Sequence, residues 1–113
     1  MTDCLFCAIA EGDIPADIVR ADDRVIAFRD INPQAPVHVL VIPRAHYANA
    51  GDLAAADTGL LGELVAFATE VAEEEGLERG YRLVVNTGED GGQTVDHVHI
   101  HLLGGRHLTW PPG

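Results

Sequence analysis

Residues 96–104 of this chain read DHVHIHLLG, in which three histidines alternate with aliphatic residues. Because successive side chains of a β-strand point to opposite faces, this alternation predicts a strand. His97, His99 and His101 would then line one face of a sheet, while the aliphatic residues between them would pack on the core. A solvated strand face would rarely carry histidine at three successive positions, so this face is expected to have a chemical role.

One metal ion bound by all three rings does not fit an extended strand. Neighbouring residues on one strand face lie about 6.6 Å apart, and the outer pair of this row about 13 Å. The nitrogens that bind one zinc ion must lie within roughly 3.5 Å of each other. We therefore expect the three histidines to have different roles.

Composition limits the class of protein. The chain has 113 residues, is 47% hydrophobic and carries a formal net charge of −11. This size predicts a single domain over residues 1–113, and no apolar stretch is long enough to cross a bilayer. The N-terminus has no secretory signal pattern, so a cytoplasmic location with both cysteines reduced is expected. The negative net charge argues against a nucleic-acid duplex as partner, because the sequence lacks the Lys and Arg patches that bind phosphate backbones.

Hydrophobic periodicity and turn residues divide the chain into alternating helices and strands. The long helix has apolar residues at helical spacing, Asp57 as its N-cap and Gly76 after its last turn. The acidic run at its C-terminal end is expected to be solvated. The predicted elements are a short helix at Cys4–Ala10, strands at Asp17–Arg20, from Val25 to Asp30 and at Val37–Ile42, the long helix at Asp57–Glu75, a strand at Tyr81–Thr87, and the histidine strand.

Short, hairpin-like connections between most of these strands predict an α+β fold. We expect an antiparallel sheet of about five strands with one long and one short helix packed on one face. The other face would carry polar side chains, including the histidine row, or meet a second subunit.

A glycine-rich turn precedes the histidine row. The N–H groups of Gly91 and Gly92 can approach an anion closely, and Gln93 and Thr94 add amide and hydroxyl donors. Asn86 should lie across the hairpin from them. Such turns are also common in ordinary hairpins, but donors without positive charge beside imidazoles favour a single, partly neutralised phosphate.

The chain resembles a known family along nearly its whole length. Residues 91–103 (GGQTVDHVHIHLL) resemble the histidine triad signature, His-x-His-x-His followed by two aliphatic residues. Residues 28–38 (FRDINPQAPVH) and 41–43 (VIP) are similar to the histidine triad nucleotide-binding (Hint) branch, as are the tail segments 104–106 (GGR) and 110–113 (WPPG).

This resemblance implies a purine nucleoside phosphoramidate hydrolase that also acts on aminoacyl adenylates. The middle histidine, His99, would attack the α-phosphorus and form a nucleotidyl-histidine intermediate. The chemistry of the residue agrees, because a neutral imidazole is a competent nucleophile near pH 7. By the same resemblance His101 contacts the phosphoryl oxygens, and His38 completes the catalytic network.

The resemblance also implies the substrate contacts of a purine nucleotide such as AMP. Asp30 would accept hydrogen bonds from both ribose hydroxyls, although without the family it would be an ordinary turn residue. The Trp110 segment would cross to a partner subunit, giving a homodimer with shared sites. The remaining substrate-binding residues would be Leu5, Phe6, Ile9, Ile14, Phe28 and Ile31 around the base and sugar, and Asn86, Gly92, Gln93, Thr94 and Val95 beside the phosphate, with His99 and His101.

Cys4 and Cys7 form a C-x-x-C motif, which alone is a weak zinc signal because a structural site needs four ligands. Resemblance to some bacterial triad proteins implies a zinc site completed by His46 and the first triad histidine, His97. The alternative is that both cysteines pack as small reduced hydrophobes.

Three other functions remain open at this point. They are hydrolysis of dinucleoside polyphosphates, nucleotidyl transfer, and a non-catalytic module that binds AMP or acts as a scaffold. The related transferases have Gln at the third triad position, where this chain has His101, so hydrolysis is favoured. Asp96 stands where many Hint-branch proteins have an aromatic residue, and it would either disfavour anionic leaving groups or face solvent.

Overall fold

A five-stranded antiparallel sheet with three helices makes up the computed structural model, which describes residues 4–113. The strands lie in the order β1-β2-β3-β5-β4, which confirms the α+β class. No helix within residues 4–113 has both the length and the apolar character needed to cross a membrane. The elements are α1 (Leu5–Ala10), β1 (Ile18–Ala21), β2 (Val25–Arg29), β3 (Val37–Pro43), α2 (Ala50–Ala56), α3 (Thr58–Glu74), β4 (Tyr81–Val84) and β5 (Ile100–Gly104).

The central strand β3 is buried on both faces, as its unbroken apolar run predicts. Val39 and Val41 belong to the core beneath α3, whereas Leu40 and Ile42 belong to the core beneath α1. β3 pairs with β2 on one side and with β5 on the other, with Leu40 opposite His101. This register places a histidine of β5 beside the middle of the sheet.

Helix α3 covers one face of the sheet with a single apolar stripe. Asp57 caps its first turn, because its side chain accepts a hydrogen bond from the Leu60 N–H at 3.1 Å. The acidic C-terminal end is solvated as predicted at Glu73 and Glu74, where Glu74 also pairs with Arg20, whereas Glu75 is partly buried and pairs with Arg29. The buried stripe consists of Leu60, Leu64, Phe67, Ala68, Val71 and Ala72.

Helix α1 lies on the opposite face, so the prediction that the helices share one face is wrong. Phe6 and Ile9 of α1 pack with Phe28, Leu40 and other inward residues of β2 and β3. These two strands carry apolar residues on both sides, so each face needs a cover to exclude water. Periodicity within the short helix does not tell which face it covers.

The number of helices and several boundaries differ from the sequence prediction. Strand β4, predicted to reach Thr87, ends at Val84, and the bounds of most other elements shift by one residue. A separate helix, α2, precedes α3, with Asn49 as its N-cap accepting from the Asp52 N–H at 2.9 Å. Strand β5 begins at Ile100, so of the three triad histidines only His101 lies in a strand. The segment before β5 instead bonds to the loop after β3, where the Val98 N–H donates to the Tyr47 carbonyl at 2.7 Å.

Candidate functional site

The histidine row keeps its alternating faces although most of it lies outside a strand. Val98 and Ile100 belong to the core beneath α3, while Phe6 of α1 contacts the rings of His97 and His99 on the other side. His97 is 0% exposed and His99 is 5% exposed. The predicted chemical face therefore exists, but it is covered in part by α1 rather than open to solvent.

A backbone carbonyl orients the middle histidine. The His99 Nδ1 lies 2.8 Å from the carbonyl oxygen of His97. Only a protonated ring nitrogen can donate to a carbonyl, so neutral His99 carries its proton on Nδ1. Its Nε2 then holds an unshared electron pair. This tautomer is the one needed for nucleophilic attack through Nε2.

Two successive hydrogen bonds, from Gln34 to His38 and from His38 to His101, orient the last triad histidine. The Gln34 N–H donates to His38 Nδ1 at 3.0 Å, so neutral His38 carries its proton on Nε2. His38 Nε2 lies 2.9 Å from His101 Nδ1 and donates to it. Neutral His101 is thereby left with its own proton on Nε2. The site combines an imidazole with a free electron pair, His99, and an imidazole with a free N–H, His101.

Burial keeps the imidazoles of His38 and His101 neutral by lowering their pKa values. Desolvation, the largest cause, together with the neighbouring His99 and His38 lowers the pKa of His101 to about 4, against the opposing charge of Asp30. Desolvation also lowers the pKa of His38, again against the opposing charge of Asp30. At pH 7 His101 is therefore a neutral hydrogen-bond donor rather than a cation.

Acid is expected to unfold the protein because these buried imidazoles must then be protonated. The pKa of His101 is about 4 in the folded chain and about 6.5 in an unfolded one, so the unfolded chain binds more protons between these values. Stability is complete above pH 6.5 and falls as the pH drops towards 4. His101 contributes at most about 3 kcal/mol to this loss.

Urea denaturation between pH 7 and pH 4 measures this dependence. We expect His101→Gln to flatten the fall in unfolding free energy, while His107→Gln, which alters an exposed histidine, leaves the slope as in the wild type. Equal slopes for His101→Gln and the wild type would contradict the prediction.

Asp30, the predicted ribose ligand, lies between a turn and the imidazoles. One carboxylate oxygen, Oδ1, accepts the Asn32 N–H at 2.8 Å. The other, Oδ2, lies 3.4 Å from His38 Nε2. The carboxylate thus combines the ordinary turn role with a place beside the catalytic candidates.

The glycine-rich turn is held largely by its own atoms. The N–H of Gly92 donates to the Glu89 carbonyl at 3.0 Å, and that of Gln93 donates to the Gly88 carbonyl at 3.0 Å. The Gln93 side-chain amide donates to the carbonyls of Ala48 at 2.6 Å and Val95 at 3.0 Å. These bonds use the Gln93 donors to hold the turn in the ligand-free protein, and its role as a phosphate donor stays a prediction.

The other residues expected beside the phosphate differ in their surroundings. A Cβ built on Gly92 would lie 3.8 Å from the Asn86 amide nitrogen, which places Asn86 across the turn. Thr94 is exposed, and within residues 4–113 neither its hydroxyl nor its N–H has a hydrogen-bond partner. Val95 packs against the core beneath α1. Asp96 is exposed and faces solvent, the second of the two expectations for it.

The six apolar residues expected around the base and sugar separate into two groups. Phe6, Ile9 and Phe28 are buried core residues, and the Phe6 ring meets the His99 ring edge-on at 5.0 Å between centroids. The exposed group consists of Leu5, Ile14 and Ile31, of which Ile31 is 100% exposed. Trp110, in the tail, is 80% exposed. The structure therefore gives His99 an aromatic neighbour and leaves the other apolar candidates exposed.

The four predicted metal ligands come together across more than ninety positions of sequence. The ligand atoms of Cys4, Cys7, His46 and His97 all lie within 4.8 Å of one another. His97 Nδ1 lies 3.3 Å from the Cys4 sulfur and 3.5 Å from the Cys7 sulfur, and His46 Nδ1 lies 3.4 Å from the Cys7 sulfur. Tetrahedral zinc with ordinary bond lengths would separate sulfur and nitrogen ligands by about 3.6 Å. The cluster fits such an ion.

Backbone contacts also prepare this cluster. His97 Nε2 donates to the Pro43 carbonyl at 2.8 Å, which leaves the electron pair of Nδ1 directed at the two sulfurs. Cys4 is the N-cap of α1, and its sulfur accepts the Cys7 N–H at 3.4 Å. Main-chain atoms orient the imidazoles both in this cluster and in the row of His99, His38 and His101. They are the carbonyls of Pro43 and His97 and the N–H of Gln34. Sequence reasoning missed them because main-chain atoms leave no residue signature.

A cavity of about 500 Å³ lies away from this site, and none of the triad histidines lines it. It is formed by the connection between α3 and β4, by the first residues of β4, and by residues 105–108 of the tail.

Comparisons with curated proteins agree with the geometry. The family model for the HIT domain matches residues 11–108. An uncharacterized HIT-like protein from Synechococcus elongatus is 56% identical over 111 residues, covering 98% of this chain and 97% of the relative. A 14 kDa zinc-binding protein from Zea mays is 50% identical over 112 residues, covering 96% of this chain and 87% of the relative.

Solved structures show the same fold. A HIT family hydrolase from Legionella pneumophila superimposes with a TM-score of 0.95 at 54% identity, covering 98% of this chain and all 100% of that one. A zinc-bound histidine triad family protein from Mycobacterium smegmatis has a TM-score of 0.82 at 32% identity, covering 92% of this chain and 76% of that one. With the family signature, the fold and the relatives in agreement, this chain belongs to the histidine triad (HIT) family.

Proposed function

We propose that this protein hydrolyses purine nucleoside phosphoramidates and aminoacyl adenylates through a nucleotidyl-His99 intermediate. The observation that carries the proposal is the hydrogen bond from His99 Nδ1 to the His97 carbonyl at 2.8 Å. In the neutral form of this buried imidazole, the proton then lies on Nδ1 and Nε2 carries the free electron pair of a nucleophile. The solved relative from Legionella pneumophila is named a hydrolase, which supports the same class of reaction.

The first step forms a bond between His99 Nε2 and the α-phosphorus. The bond from phosphorus to the leaving group breaks with its electron pair on that group: a leaving amine takes up one proton from solvent, whereas the acyl oxygen of an adenylate leaves as a carboxylate. The imidazole becomes positively charged in this step. The His97 carbonyl then accepts a stronger hydrogen bond from Nδ1, because charge on the donor strengthens such a bond.

In the second step, water attacks phosphorus and gives up one proton to solvent, and the bond from phosphorus to Nε2 breaks. The nucleoside monophosphate leaves, and His99 regains its electron pair. His101 supports both steps by donating a hydrogen bond from Nε2–H to a phosphoryl oxygen. Because the pKa of His101 is lowered to about 4, this donor keeps its neutral form throughout the physiological pH range.

Substrate contacts are proposed for the groups left available near the imidazoles. Thr94 and Asn86 would contact the phosphate, with Gly92 allowing close approach and Gln93 holding the turn. Asp30 would accept from the ribose hydroxyls with its Oδ2 atom. Apolar residues around Phe6 would contact the purine, which we propose to be part of an AMP-like nucleotide.

Zinc is proposed for the cluster of Cys4, Cys7, His46 and His97. All four positions of a tetrahedral ion would be filled by protein atoms, which is typical of a structural rather than a catalytic site. The ion would tie α1 to the loop after β3 and to the segment that carries His99. The zinc-binding relative from Zea mays and the zinc-bound relative from Mycobacterium smegmatis support this proposal.

A cytoplasmic homodimer is proposed as the working form. Strand β4 lies at an edge of the sheet, and the exposed Trp110 follows on the tail. An unpaired edge beside an exposed aromatic side chain favours association with a second copy.

Trapping the intermediate tests the proposal. Rapid acid-free quenching of wild-type protein with an adenosine phosphoramidate, followed by peptide mass spectrometry, is expected to find the nucleotidyl group on the peptide that contains His99. His99→Asn, which keeps an N–H donor for the His97 carbonyl, should show no adduct. Turnover without any adduct on His99 in the wild type would contradict covalent catalysis. Binding without turnover would instead favour an AMP-binding module.

A further inference from the structure

We propose that Arg106 is a positioning residue that holds residue 34 so that its N–H fixes the tautomer of His38. The catalytic consequence rests on the proposed hydrolase function, whereas the tautomer itself can be measured without substrate. Arg106 lies in the tail beyond β5 and has no place in the substrate contacts proposed above.

Hydrogen bonds hold residue 34 on both of its sides. The Arg106 guanidinium donates from Nη2 to the Gln34 carbonyl at 3.0 Å and from Nη1 to the His107 carbonyl at 3.2 Å. The Gln34 N–H donates to His38 Nδ1 at 3.0 Å, and the Gln34 side chain donates to the Asn32 carbonyl at 3.0 Å. Residue 34 is thereby fixed between the tail and the imidazole.

The tail reaches residue 34 because it packs closely against the preceding loop. Gly105 has a φ of +90°, a left-handed conformation that L side chains rarely adopt. A Cβ built on Gly105 would lie 2.9 Å from the Pro36 Cβ, which is closer than real contacts allow. Glycine at this position lets the next residue, Arg106, lie over the loop.

Arg106 differs from the arginines that form ion pairs in this protein. Within residues 4–113, Arg20, Arg24 and Arg29 pair with carboxylates, and Arg106 has no carboxylate within 4.0 Å. Its contacts are main-chain carbonyls, and its planar group can donate to two of them at once. A lysine ammonium would keep the charge but not this paired geometry.

The orientation of residue 34 matters because its N–H fixes the tautomer of His38. Through His38 it determines whether His101 directs an N–H or an electron pair at the substrate phosphate. With Nδ1 of His38 accepting, His38 Nε2 donates to His101 Nδ1 at 2.9 Å, and His101 presents Nε2–H. In the other His38 tautomer, two unshared electron pairs would face each other at this distance. This repulsion would be removed if the proton of His101 moved from Nε2 to Nδ1. Nε2 of His101 would then direct an electron pair at the phosphoryl oxygen, and the hydrogen-bond donor would be lost.

The experiment measures the tautomers by ¹⁵N NMR of the imidazole nitrogens in ligand-free protein. In the wild type, His38 Nδ1 is expected to be unprotonated and Nε2 protonated. Arg106→Gln should produce a mixture of tautomers at His38 and His101, and Arg106→Lys a smaller change. The matched control is Arg79→Gln, which removes the same charge from a side chain that has no hydrogen bond or ion pair with any of residues 4–113.

Kinetics on an adenosine phosphoramidate provide the second measurement. We expect Arg106→Gln to lower kcat about tenfold, equivalent to about 1.4 kcal/mol of transition-state stabilisation, with KM nearly unchanged. Arg106→Lys should recover part of this loss, and Arg79→Gln should behave as the wild type.

Unchanged tautomers in both Arg106 variants would overturn the inference, whatever the enzyme hydrolyses. A changed tautomer with an unchanged kcat would overturn its catalytic part. If the wild type does not turn over phosphoramidates, the proposed function fails, while the NMR result still decides the positioning role of Arg106.

Discussion

Replacing His99 by alanine is expected to lower kcat for adenosine phosphoramidate hydrolysis by about 10³-fold or more, the scale seen when an attacking nucleophile is removed. No other imidazole can take its place, because His97 Nδ1 is directed at the cysteine sulfurs and His101 presents a proton rather than an electron pair. Steady-state kinetics with adenosine phosphoramidate measure the loss.

Nucleotide affinity should survive this substitution. The glycine-rich turn and Asp30 are held by hydrogen bonds that do not involve His99. Titration of His99→Ala with AMP by calorimetry is therefore expected to give a Kd close to that of the wild type. His99→Asn guards against a loss caused by misfolding, because its amide can still donate to the His97 carbonyl. His107→Ala is the matched control for removal of a histidine. A His99→Ala enzyme with wild-type kcat would disprove the mechanism.

Removing the proposed zinc ion is expected to have the second large effect. Binding free energy at a structural zinc site is part of folding free energy, because the ligands come together only in the folded chain. Here they lie on α1, after β3 and before β5. Cys4→Ser should therefore cost about 3 kcal/mol or more and lower Tm by roughly 10 °C.

Elemental analysis and thermal denaturation test this prediction together. Protein purified without chelator should contain one zinc ion per chain, and addition of chelator should lower its Tm to that of Cys4→Ser. The variant itself should not respond to chelator, and His107→Gln should melt as the wild type. Protein without stoichiometric zinc, with the same Tm before and after Cys4→Ser, would rule out the site.

Local sequence patterns predicted most elements of the fold. Strand β3 and helix α3 follow from an unbroken apolar run and from helical spacing, which are signals within a single segment. The two-sided character of the histidine row also follows from alternation, although β5 begins only at Ile100. Extended segments keep alternating faces whether or not they pair in a ladder, so the prediction of faces held where the strand boundary was wrong.

The face of the sheet that α1 covers is decided by the assembled sheet, not by the sequence of α1 itself. Its six residues contain too little periodicity to select a face, and the choice depends on the apolar residues of β2 and β3 that remain uncovered opposite α3. As a result, Phe6 covers His99, a contact between residues 93 positions apart that no local pattern contains.

By itself, the sequence determined the residue types of the site: three alternating histidines, a C-x-x-C motif, and a family signature that joined His38 and His46 to them. Tertiary structure alone decided the protonation pattern, because the groups that select each tautomer are main-chain atoms. The carbonyl of Pro43 and the N–H of Gln34 place the proton of neutral His97 and His38 on Nε2, whereas the carbonyl of His97 places that of neutral His99 on Nδ1. Every residue carries such groups, so only their position in space shows which imidazole they serve.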